Sequence, residues 1–567
     1  MILVFGGTTE GRKAVDVLEQ AGKPYFYSTR GSEQEVPLVH GQRLTGAMDE
    51  DAVETFCREH AIRLLVDAAH PFAENLHRNL CCVSEKLSIP IIRFERIYPP
   101  RDPDITWIDD YSQVPTDIHT LLATTGVQSI SKLKYLEAQG MKIIYRILPR
   151  ESSRIIAQEQ GTAESQLCYY TDDNAIDIDA DAILLKESGE SGGFSEKVKA
   201  ARAKGMRIIA LKRPEVGMKN CINGTHGLRR MIEHLLPDFF PLRSGLTTGT
   251  CATAAVTAAM LSLQGEEEEA VWVQLPDGES VLVNIESVGL GEATVVKDFS
   301  DDPDVTRGCR ITAKVEMREG GQQIRFLQGE GVGRVTLPGL GIPVGEPAIN
   351  PVPRQMMEAC VHALTDEAVD ITISVKGGRE LAKRTFNERV GVVDGISIIG
   401  TSGIVQPLSN EAFVQSIRRE MEVAQAIGCK AIGLASGKNG EEALLAREPQ
   451  LRVIHYGNFI GAALEAAHAL GFQRAVLGIM IGKAVKLAEG HLDTHSHKVL
   501  MNKDFLAEIA QQAGVENAAA ILDSITMARE LWALMPPTFF QRLHDLCYEN
   551  CRKAFPKGDL EIELIEN

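Results

Sequence analysis

Residues 1–12 read MILVFGGTTEGR, an apolar run that passes directly into a glycine-rich turn and then an amphipathic helix. Such a turn brings backbone N–H groups and the positive end of a helix dipole to one point, which suits a pyrophosphate. The spacing is G-G-x-x-x-G and not the usual dinucleotide fingerprint, so a tight turn without a ligand is the alternative. Because the turn follows the first strand, we predict that Gly6, Gly7, Thr8 and Thr9 bind a dinucleotide.

Polar residues also follow the next two predicted strands. The second strand ends in Ser28, Thr29 and Arg30, and no acid is present to bond a ribose 2′-hydroxyl, so this turn suits a 2′-phosphate. An exposed polar loop explains the turn equally well. The third strand runs into DAAHPFA (67–73). A lone histidine is more often structural, but His70 lies where ligands of parallel sheets bind, and we predict a binding role.

Strand-like and helix-like runs alternate from residue 1 to about 236, which indicates an α/β fold with parallel sheets. The predicted strands are 1–5, 25–29, 63–68, 121–125, 142–148, 182–186 and 207–212, and the predicted helices include 12–21, 49–59 and 74–87. We expect two doubly wound lobes, about 1–110 and 111–236, with a cleft between them.

The regular alternation of strand-like and helix-like runs ends at PDFFP (237–241), which we interpret as a linker. An Ala/Thr-rich helix is predicted over 247–263, and turn signals between short β runs predict antiparallel hairpins over 271–296 and 310–326. From about residue 390 the α/β alternation returns, with predicted strands at 396–399, 430–434, 452–455 and 475–479. The C-terminal region, 242–567, is therefore predicted to be an α+β part with hairpins followed by an α/β part.

Composition and charge exclude several classes of protein. The net charge of -18 over 567 residues disfavours nucleic acid as a partner, because phosphates would be repelled. No apolar run is long enough to span a bilayer, and the N-terminus lacks the basic flank of a signal peptide. The 11 cysteines are scattered and odd in number, so we expect reduced thiols and a cytoplasmic protein.

Four segments of the N-terminal region are specific in combination. They are GGTTEGR (6–12), DAAHPFA (67–73), TTGVQS (124–129) and KESGESGGFSEK (186–197). Together they resemble the precorrin-6A reductase family over residues 1–236. The resemblance implies two Rossmann-like lobes, a bound NADH or NADPH, and reduction of one double bond of a tetrapyrrole. It also implies cofactor contacts at Thr125 and Gly126 and substrate carboxylates at Lys186 and Ser188, for which a solvated surface loop is the alternative.

Glycine-rich and hydroxyl-rich blocks also mark the C-terminal region. Thr247, Thr248 and Thr250 start a helix whose free N–H groups would suit a carboxylate, or they simply cap it. Two loops after predicted strands suit a nucleoside, and we assign cofactor binding to Gly400, Thr401, Ser402, Gly403, Gly457 and Asn458. Asp301, Asp302 and Asp304 form an acidic run and are the catalytic candidates, since a carboxylate could stabilise a positive charge or accept a proton; solvent exposure is the alternative.

These blocks resemble a second family. VKDFSDDPDVTRG (296–308), GEGVGRVTLPGL (329–340), GEPAINPVPRQM (345–356), DGISIIGTSGIVQPLS (394–409), HYGNFIGAAL (455–464) and IGKAVKLAEGHLDTHSH (481–497) match the cobalt-precorrin-5B C1-methyltransferase family over about 242–550. The resemblance implies methyl transfer from S-adenosylmethionine to a carbon of a cobalt-containing corrin precursor, with Arg354 in substrate binding. Phe299 and Ser300 depart from the family pattern. Methyl transfer does not follow from the residues alone.

Two further patterns have rival explanations. His491, Asp493, His495 and His497 could converge on a metal if they lie on a strand, but on a helix they would spread around the axis, and we predict no metal site there. The glycines of GEGVG (329–333) are typical of small-molecule kinases, but no P-loop lysine accompanies them. A tetrapyrrole-binding scaffold with only the methyltransferase active is the alternative function. The choice of NADH or NADPH, the general acid and the oligomeric state, including a homo-oligomer, stay open.

Overall fold

The computed structural model describes residues 1–31, 36–170, 178–215, 217–302, 304–321, 323–405, 410–495 and 500–566. The chain divides into two compact units. The first unit comprises Met1–Arg243 together with Trp272–Leu282, and the second comprises Ser244–Val271 and Val283–Asn567. No helix in the described part of the chain is long and apolar enough to cross a membrane. All 11 cysteines are free thiols.

The first unit alternates strands and helices, as the sequence predicts. Its strands are β1 Ile2–Phe5, β2 Tyr25–Thr29, β3 Gly41–Thr45, β4 Leu64–Asp67, β5 Ile91–Glu95, β6 Thr106–Ile108, β7 Thr120–Ala123, β8 Lys142–Ile147, β9 Leu167–Tyr169, β10 Ala182–Lys186, β11 Arg207–Leu211 and β12 Cys221–Asn223. Its helices are α1 Thr9–Glu19, α2 Glu50–Glu59, α3 Glu74–Leu87, α4 Ile130–Ala138, α5 Glu151–Glu159, α6 Phe194–Ala203 and α7 Thr225–Leu235.

The strands of the first unit form two six-stranded parallel sheets. The first sheet has the order β12-β5-β4-β1-β2-β3, and the second has the order β6-β11-β10-β7-β8-β9. The central strands β1 and β4 are buried along their whole length, because helices cover both faces of such sheets. The predicted pair of doubly wound α/β lobes is therefore confirmed.

The boundary between the two lobes differs from the prediction of 1–110 and 111–236. Strand β6 (Thr106–Ile108) already belongs to the second sheet, and β12 (Cys221–Asn223) returns to the edge of the first sheet. Helix α7 follows it back, because Leu228 and Ile232 complete the core of the first lobe. The first lobe is thus built from both ends of the reductase-like region.

The segment 237–241, interpreted from its prolines as a linker, packs into the same core. Phe239 and Phe240 are both buried, with their rings 5.2 Å apart in an edge-to-face arrangement. Two adjacent phenylalanines carry more apolar surface than a solvated linker tolerates, so the segment closes the first lobe instead of separating two bodies.

The second unit contains the remaining elements. Its strands, numbered with the hairpin that is shared with the first unit, are β13 Gly245–Leu246, β14 Ala270–Gln274, β15 Ser280–Asn284, β16 Ser287–Gly289, β17 Glu292–Val296, β18 Arg310–Arg318, β19 Ile324–Gln328, β20 Arg334–Val335, β21 Ala368–Val375, β22 Val392–Val393, β23 Ile404–Val405, β24 Ala431–Ala435, β25 Arg452–His455, β26 Arg474–Met480 and β27 Asp559–Ile565. Its helices are α8 Thr248–Leu263, α9 Pro351–Leu364, α10 Gly378–Ala382, α11 Asn410–Ala426, α12 Lys438–Arg447, α13 Ile460–Ala469, α14 Ile481–Ala488, α15 Lys503–Gln512, α16 Ala518–Ser524, α17 Leu531–Leu534 and α18 Pro537–Ala554.

Two sheets organise this unit. A five-stranded sheet, β16-β17-β18-β21-β19, packs against α8, whose alanines and threonines are almost all buried and allow a close approach. A parallel sheet, β25-β24-β26-β27, forms the α/β part. The α+β and α/β division is as predicted, and hairpins occur at β14-β15 and β16-β17.

Two details of the sequence prediction are wrong. Residues 310–326 do not form a hairpin, because β21 lies between β18 and β19 and pairs antiparallel with the first and parallel with the second. Residues 396–399 form isolated bridges through Ile396 and Ile398 but no strand. In both cases the hydrogen-bonding partner is a segment far away in the sequence, which the local pattern of apolar residues does not indicate.

Candidate active sites

The glycine turn after β1 is fitted to its own sheet. Thr8 caps α1: its hydroxyl donates to the Ala68 carbonyl at 2.6 Å and accepts from the Gly11 amide at 3.0 Å. A Cβ at Gly6 would lie 2.3 Å from the Tyr27 ring, so glycine at this position has a packing reason that the sequence did not reveal. Gly7, at φ 86°, faces open space. The turn therefore leaves its outer side, with Thr9, open to a ligand.

Among the described residues of the turn after β2, Arg30 alone presents an exposed side chain. The hydroxyls of Ser28 and Thr29 are buried; that of Thr29 donates to the Gly31 carbonyl at 2.8 Å, and that of Ser28 faces the Met48 sulfur at 3.9 Å. Arg30 is exposed. Of the three residues predicted here, Arg30 alone can reach a bound nucleotide with its side chain.

A buried charged network supports the loop after β4. Asp67 accepts from Arg93 at 2.9 Å and faces the Nδ1 atom of His77 at 2.6 Å. The other ring nitrogen of His77 lies 3.1 Å from the carbonyl of His70. Both nitrogens of His77 are within hydrogen-bond distance of oxygen atoms, and these contacts fix the loop that carries His70. Burial raises the pKa of Asp67, but the His77 hydrogen bond and the Arg93 charge outweigh it and hold the pKa below its usual range.

His70 and Lys186 meet from the two lobes of the first unit. Lys186 ends β10, and its ammonium lies 4.8 Å from the centre of the Phe72 ring. Burial lowers the pKa of Lys186 to about 8, assisted by the charge of Lys132. His70 is exposed to solvent, and its Nδ1 atom accepts from the Phe72 amide at 3.2 Å. Desolvation and the charges of nearby cations lower the pKa of His70, so its ring is neutral at pH 7.

A second connection between the lobes involves Ser188. Arg96 donates to the Glu10 carboxylate at 2.9 Å and to the Ser188 carbonyl at 2.7 Å, and both charged side chains are buried. The Ser188 hydroxyl donates to the Gly192 carbonyl at 3.2 Å. Ser188, predicted to bind substrate, therefore holds its own loop. Glu10 and Arg96, which the sequence reasoning missed, set how this loop meets the glycine turn.

Thr125 and Gly126 lie at the end of β7, beside the end of β10 that carries Lys186. The Thr125 hydroxyl is buried and shares a hydrogen bond of 2.6 Å with Ser129. The backbone of this turn, more than the threonine side chain, is thus available at the edge of the second sheet.

In the second unit, two predicted sites prove to be one structure. Thr248 accepts from the Ile399 amide at 2.9 Å, and Thr250 donates to the Gly403 carbonyl at 2.7 Å. Thr247 accepts from the Thr250 amide at 3.2 Å, and a Cβ at Gly400 would lie 2.2 Å from the Thr247 hydroxyl. These bonds join the start of α8 to the GTSG loop.

The three threonines are consequently engaged inside the protein. The Gly249 amide, which we expected to be open to a carboxylate, donates to the Ile399 carbonyl at 2.9 Å. In the same loop the Ser402 hydroxyl donates to the Ile404 carbonyl at 3.0 Å, and the Thr401 side chain is exposed. The helix start is a structural junction, and among the described residues of the loop Thr401 is exposed to solvent.

The acidic candidates differ in environment. Asp304 forms an ion pair of 2.5 Å with buried Lys297 and accepts from Thr306. Burial raises the pKa of Asp304, yet the charge of Lys297 and these hydrogen bonds hold the pKa below its usual range. Asp301 is exposed and Asp302 half-buried, while the intervening Pro303 lies outside the described residues. Asp304 thus has a structural task, which leaves Asp301 and Asp302 as the accessible carboxylates.

Arg354 is also held by its surroundings. Its guanidinium donates to Glu346 at 2.7 Å and to the Ile349 carbonyl at 2.8 Å, and it lies 5.1 Å from the centre of the Phe326 ring. These contacts position the loop before α9.

The loop with Gly457 and Asn458 follows β25 at the carboxyl edge of the four-stranded sheet. Lys483 donates to the Gly457 carbonyl and to the Asn458 side chain. The chain next to it passes through Asp493, which bridges to Phe459, whereas His497 lies outside the described residues. The sequence reasoning missed Lys483, although its position three residues after the end of β26 was a usable signal.

One group of potential metal ligands occurs among the described residues: His226, Asp277 and Glu279 in the first unit. Glu279 already accepts from the amides of Thr225 and His226 at 2.7 and 2.8 Å, and so caps the start of α7. A cation would have to displace these bonds at the positive end of a helix, which disfavours it.

Comparison with known proteins identifies the chain. The cobalt-precorrin-5B C(1)-methyltransferase of Prosthecochloris aestuarii is 42% identical over 348 residues, which make up 57% of this chain and 94% of the relative. The chain belongs to the cobalt-precorrin-5B C(1)-methyltransferase family. The enzyme of the same name from Burkholderia multivorans is 43% identical over 290 residues, 49% of this chain and 80% of that protein. The CbiD family model matches residues 237–407.

The first unit has a family of its own. The model described as precorrin-6x reductase CbiJ/CobK matches residues 1–235. A solved CobK precorrin-6A reductase covers 42% of this chain and 98% of its own at 18% identity, with a TM-score of 0.34. The solved cbiD protein of Archaeoglobus fulgidus covers 45% and 83% at 29% identity, with a TM-score of 0.27. This member of the methyltransferase family is therefore a fusion with a reductase, a bifunctional enzyme of cobalamin biosynthesis.

Proposed function

We propose that the methyltransferase-family region transfers a methyl group from S-adenosylmethionine to C1 of cobalt-precorrin-5B, and that the reductase-family region then reduces the product with a nicotinamide cofactor. In the first step a macrocycle carbon attacks the sulfonium methyl group, S-adenosylhomocysteine leaves, and a proton is lost. In the second step the nicotinamide supplies hydride to one carbon and a proton adds to its neighbour. We also propose a cytoplasmic location, in keeping with the free thiols.

The observation that carries the reductase assignment is the meeting of His70 and Lys186 beside the glycine turn. Three strand ends, those of β1, β4 and β10, bring together a phosphate-type turn, a neutral imidazole and a half-buried ammonium. Lys186 forms no ion pair with any described residue, so a substrate carboxylate could serve as the counter-ion of its ammonium group. Tetrapyrrole precursors carry many acetate and propionate groups, which suits such a cation.

Orientation is the main contribution of both regions. Neither reaction needs a protein nucleophile, and holding two reactants in line supplies much of the rate enhancement. The Asp67–His77 pair fixes the loop that would face the nicotinamide, and Arg96 fixes the opposite loop. In the second unit, the exposed Asp301 and half-buried Asp302 can stabilise the sulfonium or accept the proton.

Arg30 favours NADPH over NADH. Its side chain is exposed at the end of β2, where the 2′ position of an adenosine ribose lies in dinucleotide folds. The residues that follow, 32–35, lie outside the described part of the chain.

Mass spectrometry of the product tests the two activities together. The full chain, incubated with cobalt-precorrin-5B, S-adenosylmethionine and NADPH, should add one methyl group and then two hydrogens. Omitting NADPH should stop the reaction at the methylated compound, and omitting S-adenosylmethionine should prevent both changes. Methylation without reduction, whichever nicotinamide cofactor is supplied, would support the alternative of a tetrapyrrole scaffold with only the methyltransferase active.

A further inference from the structure

Two lysines of α14 are held at the carboxyl edge of the sheet β25-β24-β26-β27. Lys483 donates to the Gly457 carbonyl and the Asn458 side chain, and its ammonium lies 5.9 Å from the centre of the Tyr456 ring. Lys486, one turn later, donates to the Thr494 carbonyl at 3.2 Å. Both side chains are half-buried. The two cations are therefore fixed, and they do not extend into solvent.

Their hydrogen-bond partners carry no charge. Among the described residues, neither lysine forms an ion pair with a carboxylate, in contrast to Lys438 of α12, which is exposed and lies 3.6 Å from Glu442. Burial and, to a smaller extent, the charge of Lys486 lower the pKa of Lys483 to about 8, while the charge of Asp493 opposes this shift. Burial also lowers the pKa of Lys486. Asp493 only partly offsets the cost of holding two half-buried ammonium groups, and a bound anion would offset more of it.

The position is one where sheets of this type bind ligands. The chain leaves β24 for β25 on one side and then crosses to β26 on the other, so the ends of β24 and β26 border a topological switch point. Helix α14 begins directly after β26, and no side chain caps its first turn. A Cβ at Gly482 would meet nothing nearer than the Ala528 methyl at 4.0 Å, so a small group can approach the backbone there.

We propose that Lys483 and Lys486, together with the first turn of α14, bind a carboxylate group of a reactant. The inference rests on the proposed methyl transfer, in which both reactants carry carboxylates. One source is the methionine moiety of S-adenosylmethionine, and the other is an acetate or propionate arm of the macrocycle. A planar carboxylate fits two ammonium groups one helical turn apart and the N–H groups of a helix start.

Three variants of the full chain test the site: Lys483→Gln, Lys486→Gln and the control Lys314→Gln, which removes an exposed lysine that pairs with Glu316 on β18. The affinity for S-adenosylmethionine is measured by calorimetry without macrocycle, and the KM for cobalt-precorrin-5B is measured at saturating S-adenosylmethionine. We expect Lys483→Gln to weaken one of these two by about tenfold, the equivalent of about 1.4 kcal/mol, and Lys314→Gln to change neither. Lys483→Arg should recover part of the loss.

The outcomes separate the two sources. If the affinity for S-adenosylmethionine falls, and the variant no longer distinguishes it from decarboxylated S-adenosylmethionine, the site holds the methionine carboxylate. If only the KM for the macrocycle rises, the site holds one of its arms. Unchanged values in both Lys483→Gln and Lys486→Gln would overturn the proposal.

The test also separates the loss of the binding site from a folding defect and from failure of the proposed reaction. Lys486 has a single carbonyl partner, so Lys486→Gln keeps the test open if Lys483→Gln unfolds. A wild-type chain that binds S-adenosylmethionine but methylates nothing would contradict the proposed reaction, while the binding comparison would still decide the site.

Discussion

Arg30 is the residue on which cofactor choice is expected to depend. We predict that Arg30→Ala weakens NADPH binding by about tenfold and leaves NADH binding nearly unchanged, because only NADPH has a 2′-phosphate for the guanidinium to contact. Fluorescence titration with both cofactors measures the difference. The NADPH effect should shrink at high salt, since the side chain is exposed.

The matched control for Arg30 is Arg58→Ala, which removes another exposed arginine from the same lobe. Equal losses for NADH and NADPH in Arg30→Ala would place Arg30 away from the 2′ position.

Lys186 should give the reductase a pH-dependent affinity for its substrate. Its ammonium is charged below a pKa of about 8 and loses the charge above it. The KM for the methylated macrocycle should therefore be low below pH 8 and rise as the pH increases through that value. Steady-state kinetics at fixed NADPH from pH 6.5 to 9.5 measures the profile.

Two substitutions sharpen this prediction. Lys186→Gln should raise the KM at pH 7 by about tenfold and abolish the rise, since a charge-assisted hydrogen bond is lost. Lys186→Arg, which keeps its charge across this range, should flatten the profile at a low KM. A Lys186→Gln variant with the wild-type profile would exclude Lys186 from substrate binding.

The start of α7 depends on a residue more than fifty positions away. One carboxylate oxygen of Glu279 accepts from the Thr225 amide and the other accepts from the His226 amide. A Cβ at Gly224 would overlap the Glu279 side chain. We predict that Glu279→Gln lowers the free energy of unfolding by about 1 kcal/mol, the usual value of a helix cap. Urea denaturation measures the loss.

Hydrogen exchange localises that effect. The amides of Thr225 and His226 should exchange faster in Glu279→Gln, whereas Glu286→Gln, which affects an exposed pair with Arg310, should leave them unchanged. Unaltered exchange at the start of α7 in Glu279→Gln would show that the cap contributes no stability.

The fusion itself should shorten the time between the two reactions. Two sites on one chain cannot diffuse apart, so intermediate released at the first site meets the second at a higher effective concentration than it would in free solution. We predict that the wild-type chain forms reduced product with a shorter lag than an equimolar mixture of two full-length chains, one inactivated at the glycine turn and one at the methyl-transfer site. Quenched-flow sampling at low enzyme concentration measures both lags.

An excess of the reductase-inactive chain serves as the control, since it competes for released intermediate. The advantage of the wild-type chain should survive this competitor. Identical lags in the two preparations would mean that the fusion fixes only the stoichiometry of the activities.

The fold of each region could be predicted where local patterns decide it. Strands β2, β10 and β25 have their predicted bounds, because each is an apolar run between clear turn residues. Strand β12 and the intercalated β21 could not be placed, because their partners lie far away in the sequence. The spacing of apolar residues identifies a helix or strand, but it does not show which other segment of the chain pairs or packs with it.

The same limit applies to the sites. The sequence singled out His70, Lys186 and the glycine turn, but the Asp67–His77–Arg93 network and the Glu10–Arg96 pair that hold them emerged only from the structure. Thr247 and Gly400 were read as separate ligand sites, and the fold makes them partners of each other.

The sequence by itself determined the class of fold and the two families joined in this chain, because glycine turns, apolar runs and motif order are local properties of the polymer. Only the tertiary structure decided which polar groups stay available to ligands. Hydrogen bonds such as those from Thr250 to Gly403 and from Lys297 to Asp304 occupy polar groups that the sequence indicated as candidates for ligand binding or catalysis. Lys483 and Lys186, by contrast, are half-buried without a charged partner among the described residues, a state that depends on which distant segments fold around them.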